Sequence, residues 1–452
     1  MSERLFSGAS PQEVAAAVAP LVDFQEEGLH IADLNLLIEE RLLPHLMRYD
    51  LPSFQGLFNS NLEAGATLGA EVALQWNQGV TNWQVSPGAA TLEELCCKAL
   101  CRLFGLGPEA EATVLYCGTY ANQQALYMAL HAWAAREGFD FAQKGLLGFR
   151  DPSRLAVLVS EDAHFSLKHA VRFLGLGEDA LIQVEVDANR RMEVDHLRKI
   201  FREVRGTREV FCVVATAGTT STGSVDPVKS IGEVCREESA WLHVDGAYGL
   251  AYGLVPEKAH LFSGLEQAET ISWDPHKQMG VPIPNSILFA RDRDLFKPLA
   301  LFSDYWNRAD AQGPNPGLKS VPSTRPFSAL PLVTSIRHQG LGGLVDRLRK
   351  PLDAIRGLYE ELPTFTGIEV LHEPDTGILC FRLVPQQMSG EELDRLQEHI
   401  YRTLLKKGKR IISVSRVGEK VALRAVAIIP EVTTSALLDT VFEAQQIAGA
   451  FR

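Results

Sequence analysis

Four short stretches carry residues whose types and spacing could do chemistry. In SWDPHKQMG (272–280), Lys277 follows a strand-like run and stands next to His276. A lysine held there can form an imine with an aldehyde, although most lysines only solvate a surface. In WLHVDGAYG (241–249), Asp245 ends an apolar run. A carboxylate drawn into the interior needs a partner, because a lone buried charge is very costly. A protonated pyridine nitrogen would serve; so would the amides of a helix that Asp245 caps. In YCGTYANQQAL (116–126), a strand-like run meets a Gly-containing turn and a helical pattern. Unpaired backbone N–H groups converge at such a junction and make an anion site. Gly118 would let a phosphate approach and Thr119 would add a hydroxyl, but an ordinary strand-to-helix turn reads the same way. In SEDAHFSLKHA (160–170), His164 follows a strand end, where an imidazole can stack on a flat ring or simply complete the local packing.

The elements that must position these residues alternate. From about residue 112, the short apolar runs ATVLYCG, LAVLVS, LIQVEV, EVFCVVAT, WLHVDG, ETISWD and SILFARD are separated largely by helical patterns. Continuous Val/Leu/Ile strands alternating with helices predict a mainly parallel sheet covered on both faces. Each of the four stretches falls at or beside the end of a run. Upstream, EVAAAVAPLVDF, IADLNLLIEERLLPHLM and the 91–107 segment have helical spacing, with Thr91 as a candidate cap of the last. The segment 303–328 is dense in Pro, Gly, Asn and Ser and reads as a functional loop or lid. A long helix from about 345 leads to a smaller α+β unit with GIEVLH, GILCFRL and VALRAVAII as strands.

Composition narrows the classes further. Apolar residues make up 46% of the 452, which allows a sizeable core. The formal net charge is -12, so the long-range field repels polyanions and nucleic acid is not an expected partner. No stretch approaches the roughly 20 apolar residues that span a bilayer, and the N-terminus lacks a basic start followed by an apolar run. The expected location is the cytoplasm. Seven cysteines without a CxxC pair fit reduced, mostly buried thiols rather than a zinc site.

Taken together and in this order, the four stretches resemble the group II pyridoxal-phosphate decarboxylases of the fold type I superfamily, which includes glutamate, cysteine-sulfinate, aspartate and aromatic amino-acid decarboxylases. The resemblance runs from about residue 50 to the C-terminus, with 83–290 its most specific part. PHKQMGV looks closest to the glutamate and cysteine-sulfinate branch. The resemblance implies a fold type I, PLP-dependent transferase-like α/β chain. Its parts would be an N-terminal helical segment (1–65), a large domain with a mainly parallel seven-stranded sheet (66–340) and a small C-terminal α+β domain (341–452). It implies pyridoxal 5′-phosphate as cofactor, held as an imine by Lys277, which later takes part in proton transfer. His276 and the Gly118–Thr119 turn would contact the phosphate, although Cys117 and Tyr120 alter the family's usual small-residue run. Asp245 would pair with the pyridine nitrogen and Ala247 would pack on the ring. His164 would stack on the opposite face, and Thr216 would reach the phenolic oxygen. Trp83, in NWQVSPG, would line the substrate entrance. Arg424, in VALRAVAIIP, would bind the substrate carboxylate bidentately; a strand arginine paired with a surface carboxylate is the alternative.

The implied reaction is decarboxylation of an L-amino acid, acidic or small and polar, by a homodimer with its active site at the subunit interface. One departure bears on the final protonation. Many relatives carry a tyrosine on the mobile lid near 316–318, where this chain has Pro316, Gly317 and Leu318, and Tyr305 matches an earlier position. Relatives with that tyrosine changed divert the carbanion to oxygen and release an aldehyde, so oxidative decarboxylation–deamination stands as the alternative, beside other PLP lyase reactions. His164 or a partner-chain group could supply the proton instead. Arg325, just after the lid, reads as structural.

Overall fold

Strands form where Val, Leu, Ile and Phe runs are bounded by turn residues. The computed structural model describes residues 4–304, 307, 313–386 and 388–451. In chain order the strands are β1 (Phe54–Gln55), β2 (Glu111–Leu115), β3 (Leu155–Ser160), β4 (Leu181–Val184), β5 (Glu209–Thr216) and β6 (Trp241–Asp245), then β7 (Thr270–Trp273), β8 (Ser286–Ala290), β9 (Ile368–Val370), β10 (Ile378–Leu383), β11 (Ile411–Val417) and β12 (Lys420–Val426). The chain divides into two units, each with its own sheet.

The larger unit, Ser60–Arg349 with His372–Thr376, holds a seven-stranded sheet in the order β2-β8-β7-β6-β5-β3-β4. The pairs β4–β3, β3–β5, β5–β6 and β6–β7 are parallel, while β8 runs antiparallel to both β7 and β2. The expected mainly parallel seven-stranded sheet is therefore present, with one reversed strand. β3 and β6 are buried at every position and β5 at seven of eight, as a sheet covered on both faces requires. Leu126, Leu130 and Met128 of the helix Gly118–Arg136 pack with Val157, Phe211 and Leu288 in the main core.

Two local expectations are corrected here. Thr91 does not cap its helix. The helix spans Pro87–Leu103 with Ser86 at the N-cap, and the Thr91 hydroxyl donates to the Pro87 carbonyl (2.7 Å). A proline preset for the first helical turn moved the start upstream. The long helical stretch begins at Ala329 rather than near 345, and Gly340, at φ 68°, kinks it.

The smaller unit comprises residues up to Asn59, Lys350–Leu371 and Gly377 onward. Its sheet order is β1-β11-β12-β10-β9, antiparallel except for β1 on β11. The helix Glu391–Lys407 buries Leu396, Ile400 and Leu404, spaced by four, as an amphipathic helix on a sheet must.

Candidate active site

Parallel strands bring their C-terminal ends to one edge of a sheet, where open α/β folds bind ligands. Register places Thr216 of β5 beside Asp245 of β6, and Asp245 beside Ser272 of β7. Ser160 ends β3 and leads to His164; Trp273 ends β7 and leads through Asp274 to the single turn Pro275–Gln278 that carries His276 and Lys277. The sequence-predicted residues His164, Thr216, Asp245, Ala247, His276 and Lys277 thus leave adjacent strand ends, and the helix Gly118–Arg136 starts against them.

Lys277 Nζ lies 3.2 Å from Asp274 Oδ2. His276 Nδ1 sits 2.5 Å from the Asn285 carbonyl and 3.3 Å from the Asn285 backbone nitrogen, and Nε2 lies 3.8 Å from Asp274 Oδ2. Burial lowers the His276 pKa, opposed by Asp274. His164 accepts the Ser166 N–H at Nδ1 (3.2 Å), so its other nitrogen carries the proton in the neutral ring. Burial also lowers the His164 pKa; Asp245 and Asp274 act the other way and Lys277 adds to it, so all three charges reach this ring.

Asp245 is buried, and its carboxylate accepts from Ala247 N–H (3.1 Å) and Asn122 Nδ2 (2.7 Å), with the Ser272 hydroxyl oxygen 3.2 Å away. Behind it, fully buried His243 has its pKa pushed down to about 4 by desolvation, with Asp245 opposing. The folded-state value lies below the usual 6.5, so the native protein binds fewer protons in that window and loses stability as pH falls through it. The difference in melting free energy between wild type and His243→Asn should therefore narrow from pH 6.5 to pH 4, by on the order of 3 kcal/mol at most. Thermal melts across that range check this; a constant difference would contradict it.

The residues gathered at these strand ends fit pyridoxal phosphate. Thr216 Oγ1 is buried with no hydrogen-bond partner among the described residues, as a hydroxyl meant for a ligand oxygen would be. A Cβ at Gly118 would come within 2.8 Å of Asp274 Oδ2 and 3.0 Å of the Ala247 methyl, so only glycine preserves this approach. Half-buried Thr119 stands in the first turn of the helix, where backbone N–H groups have no intrahelical acceptor.

Trp83 is partly exposed and lies against the loop after the undescribed residues. Its N–H donates to Pro314 O (2.9 Å), and a Cβ at Gly313 would meet its ring at 2.9 Å. Gly317 N–H donates to Thr81 O (2.8 Å), and Lys319 Nζ is anchored by Glu94 (2.7 Å), Glu111 (3.4 Å) and Ala112 O (3.1 Å). Pro316–Leu318 is a tight 3-10 turn in this clamp; Tyr305 lies outside the described residues. Arg424 belongs to the smaller unit. It is buried on β12, donates to Ser413 Oγ (2.9 Å) and Gly56 O (3.4 Å), and stacks 4.9 Å over the Phe58 ring. Sequence reasoning did not single out Asn122, Asp274 or Ser272. Asn122 follows Gly118 by four residues on the same helical face, a signal that was there to read.

Comparison with known proteins agrees with this arrangement. The family model described as "Pyridoxal-dependent decarboxylase conserved domain" matches residues 16–384. L-2,4-diaminobutyrate decarboxylase of Rhizobium meliloti is 33% identical over 385 residues, covering 84% of this chain and 74% of that protein. Cysteine sulfinic acid decarboxylase of Mus musculus is 28% identical over 386 residues, 82% of this chain and 76% of that one. The crystal structure of mouse CSAD superposes with a TM-score of 0.89 at 25% identity, covering 99% of this chain and 94% of that one. Strand-end lysine, buried aspartate, glycine turn and family match converge: the chain belongs to the pyridoxal-dependent decarboxylase family, an amino-acid carboxy-lyase with pyridoxal 5′-phosphate as its cofactor.

Proposed function

We propose that this chain decarboxylates a small polar or acidic L-amino acid, with Lys277 as the cofactor-holding amine and Asp245 as partner of the ring nitrogen. The observation that carries the reading is the placement of Thr216, Asp245 and the Lys277 turn at neighbouring strand ends, with Gly118 against Asp274 and Ala247. Bound pyridoxal phosphate supplies an electron sink for the bond to the lost carboxylate. Asp245 keeps a proton on the ring nitrogen. The Gly118–Thr119 turn and His276 bind the phosphate, and Thr216 donates to the phenolic oxygen. The His164 ring and Ala247 cover the two ring faces and exclude water, and Lys277 moves protons at the α-carbon. Trp83 borders the substrate entrance, and Arg424 holds the substrate carboxylate.

The side-chain preference rests on the PHKQMG stretch and on two relatives whose named substrates, 2,4-diaminobutyrate and cysteine sulfinate, both carry short polar side chains. A homodimer is the proposed assembly. In its support, Leu74 and Trp76 of the helix Ala64–Trp76 are 80% and 68% exposed, more apolar surface than a lone helix face normally leaves in water.

A second reading, oxidative decarboxylation to an aldehyde, is favoured by one feature: the turn Pro316–Leu318 carries no hydroxyl to donate a proton. The test is carbon dioxide, oxygen uptake and peroxide followed together with L-2,4-diaminobutyrate, L-aspartate, L-cysteine sulfinate and L-glutamate. Carbon dioxide without peroxide supports simple decarboxylation; equal oxygen uptake and peroxide establish the second reading. No carbon dioxide from any common L-amino acid ends both.

A further inference from the structure

Asn122 stands one helical turn inside the helix Gly118–Arg136, is 1% exposed, and has every polar position of its amide engaged. Nδ2 donates to Asp245 Oδ2 (2.7 Å) and Ser166 Oγ (3.0 Å); Oδ1 accepts from His243 Nε2 (2.9 Å) and Ser272 Oγ (2.9 Å). An amide has two N–H bonds and two lone pairs, so nothing is left over. Which end of an amide faces which partner follows from the partners. A carboxylate oxygen only accepts, so nitrogen faces Asp245. Oxygen then faces His243, whose Nε2 must carry the proton.

The rest of the chain has the same single direction. Buried His243 is neutral and has one proton, so Nδ1 accepts from Thr270 Oγ1 (3.0 Å), and that oxygen accepts the Trp241 Nε1–H (3.1 Å). The other tautomer would aim Nδ1–H at the Thr270 carbonyl (3.2 Å), leaving two acceptors, Nε2 and Asn122 Oδ1, facing each other at 2.9 Å. Trp241, His243 and Asp245 are spaced by two on one face of β6, and Thr270 and Ser272 are the register partners of His243 and Asp245. The strand itself therefore spaces the links.

We infer that Asn122 is the positioning residue that fixes the Asp245 carboxylate, as the last link of a one-way hydrogen-bond chain running along β6 from Trp241. The inference rests on the reading that Asp245 pairs with the cofactor's ring nitrogen. Buried donors to a carboxylate are strong because no water competes, and the chain sets both the orientation and the charge balance that the ring nitrogen meets.

The test is binding of pyridoxal phosphate to apo-protein, followed by absorption and fluorescence, with no turnover required. Asn122→Ala should raise the dissociation constant roughly 10–100-fold, the range seen when outer partners of a bound metal are removed. In an Asp245→Asn background the same change should add less than about twofold, because it acts through that carboxylate; multiplicative effects overturn the inference. Asn122→Asp keeps the shape and donates only while protonated. Its dissociation constant relative to wild type should therefore grow between about pH 5 and about pH 8, and a flat ratio overturns the inference even where the alanine variant folds poorly. Wild type that binds no cofactor, or an Asp245→Asn variant that binds as wild type does, instead brings down the underlying reading and this inference with it.

Discussion

Lys277→Ala is expected to lack the visible absorption band of the wild-type holoenzyme and to lose carbon dioxide release by on the order of 10³-fold or more. The magnitude follows from what Lys277 is asked to do. In the proposed reading it holds the cofactor covalently, and in the structure its Nζ has Asp274 Oδ2 at 3.2 Å on a turn that begins at the end of β7. Alanine removes both the amine and its proton-transfer capacity while leaving the turn, which is set by Pro275 and by the Asp274 carbonyl accepting the Lys277 N–H (3.0 Å). Cofactor should still enter, because phosphate and ring contacts remain, but it should be released on dialysis. Wild-type spectrum and turnover in the alanine variant would sink the assignment of this lysine.

The largest expected loss of stability lies elsewhere. Arg325 and Glu93 form an ion pair with side chains 3% and 2% exposed, and Arg325 also donates to Thr113 Oγ1 (3.2 Å) and Val114 O (2.6 Å). Burial raises the Glu93 pKa, with Arg325 opposing it. Arg325→Ala would leave a carboxylate and the β2 carbonyl desolvated without their donor. Breaking a buried pair from one side costs about 3–5 kcal/mol, which for a unit of this size lowers Tm by roughly 5–10 °C. Replacing both partners, Arg325→Met with Glu93→Gln, should recover much of that loss, since no unpaired charge remains. Differential scanning calorimetry of the two variants decides; a shift under about 1 °C for Arg325→Ala would show that water reaches Glu93. This geometry also agrees with the structural role read for Arg325 from its place after the lid segment.

Much of the site was legible because its residues sit where short-range signals are strong. Lys277, Asp245 and His164 each follow an apolar strand, and a parallel sheet collects strand ends on one edge whatever the loops do. Gly118 was legible for the same reason, at a strand-to-helix junction. Trp83 and Arg424 were legible only as motif positions. One packs on residues 313–314, and the other is held by Ser413 and Phe58, contacts that no local pattern announces.

By itself the sequence determined the strand-helix alternation and the predominantly parallel sheet, because periodicity and turn chemistry act over a few residues, and its motif resemblance gave the cofactor class. Tertiary structure alone decided the reversal of β8, the pairing of two-residue β1 with distant β11, the helix start at Pro87 in place of Thr91 and the clamp on Pro316–Leu318. It alone joined Asn122 to Asp245 and Arg325 to Glu93. Pairs of buried polar groups far apart in the chain are chosen by which partners the packed core leaves without water, and that choice exists only once the core has closed.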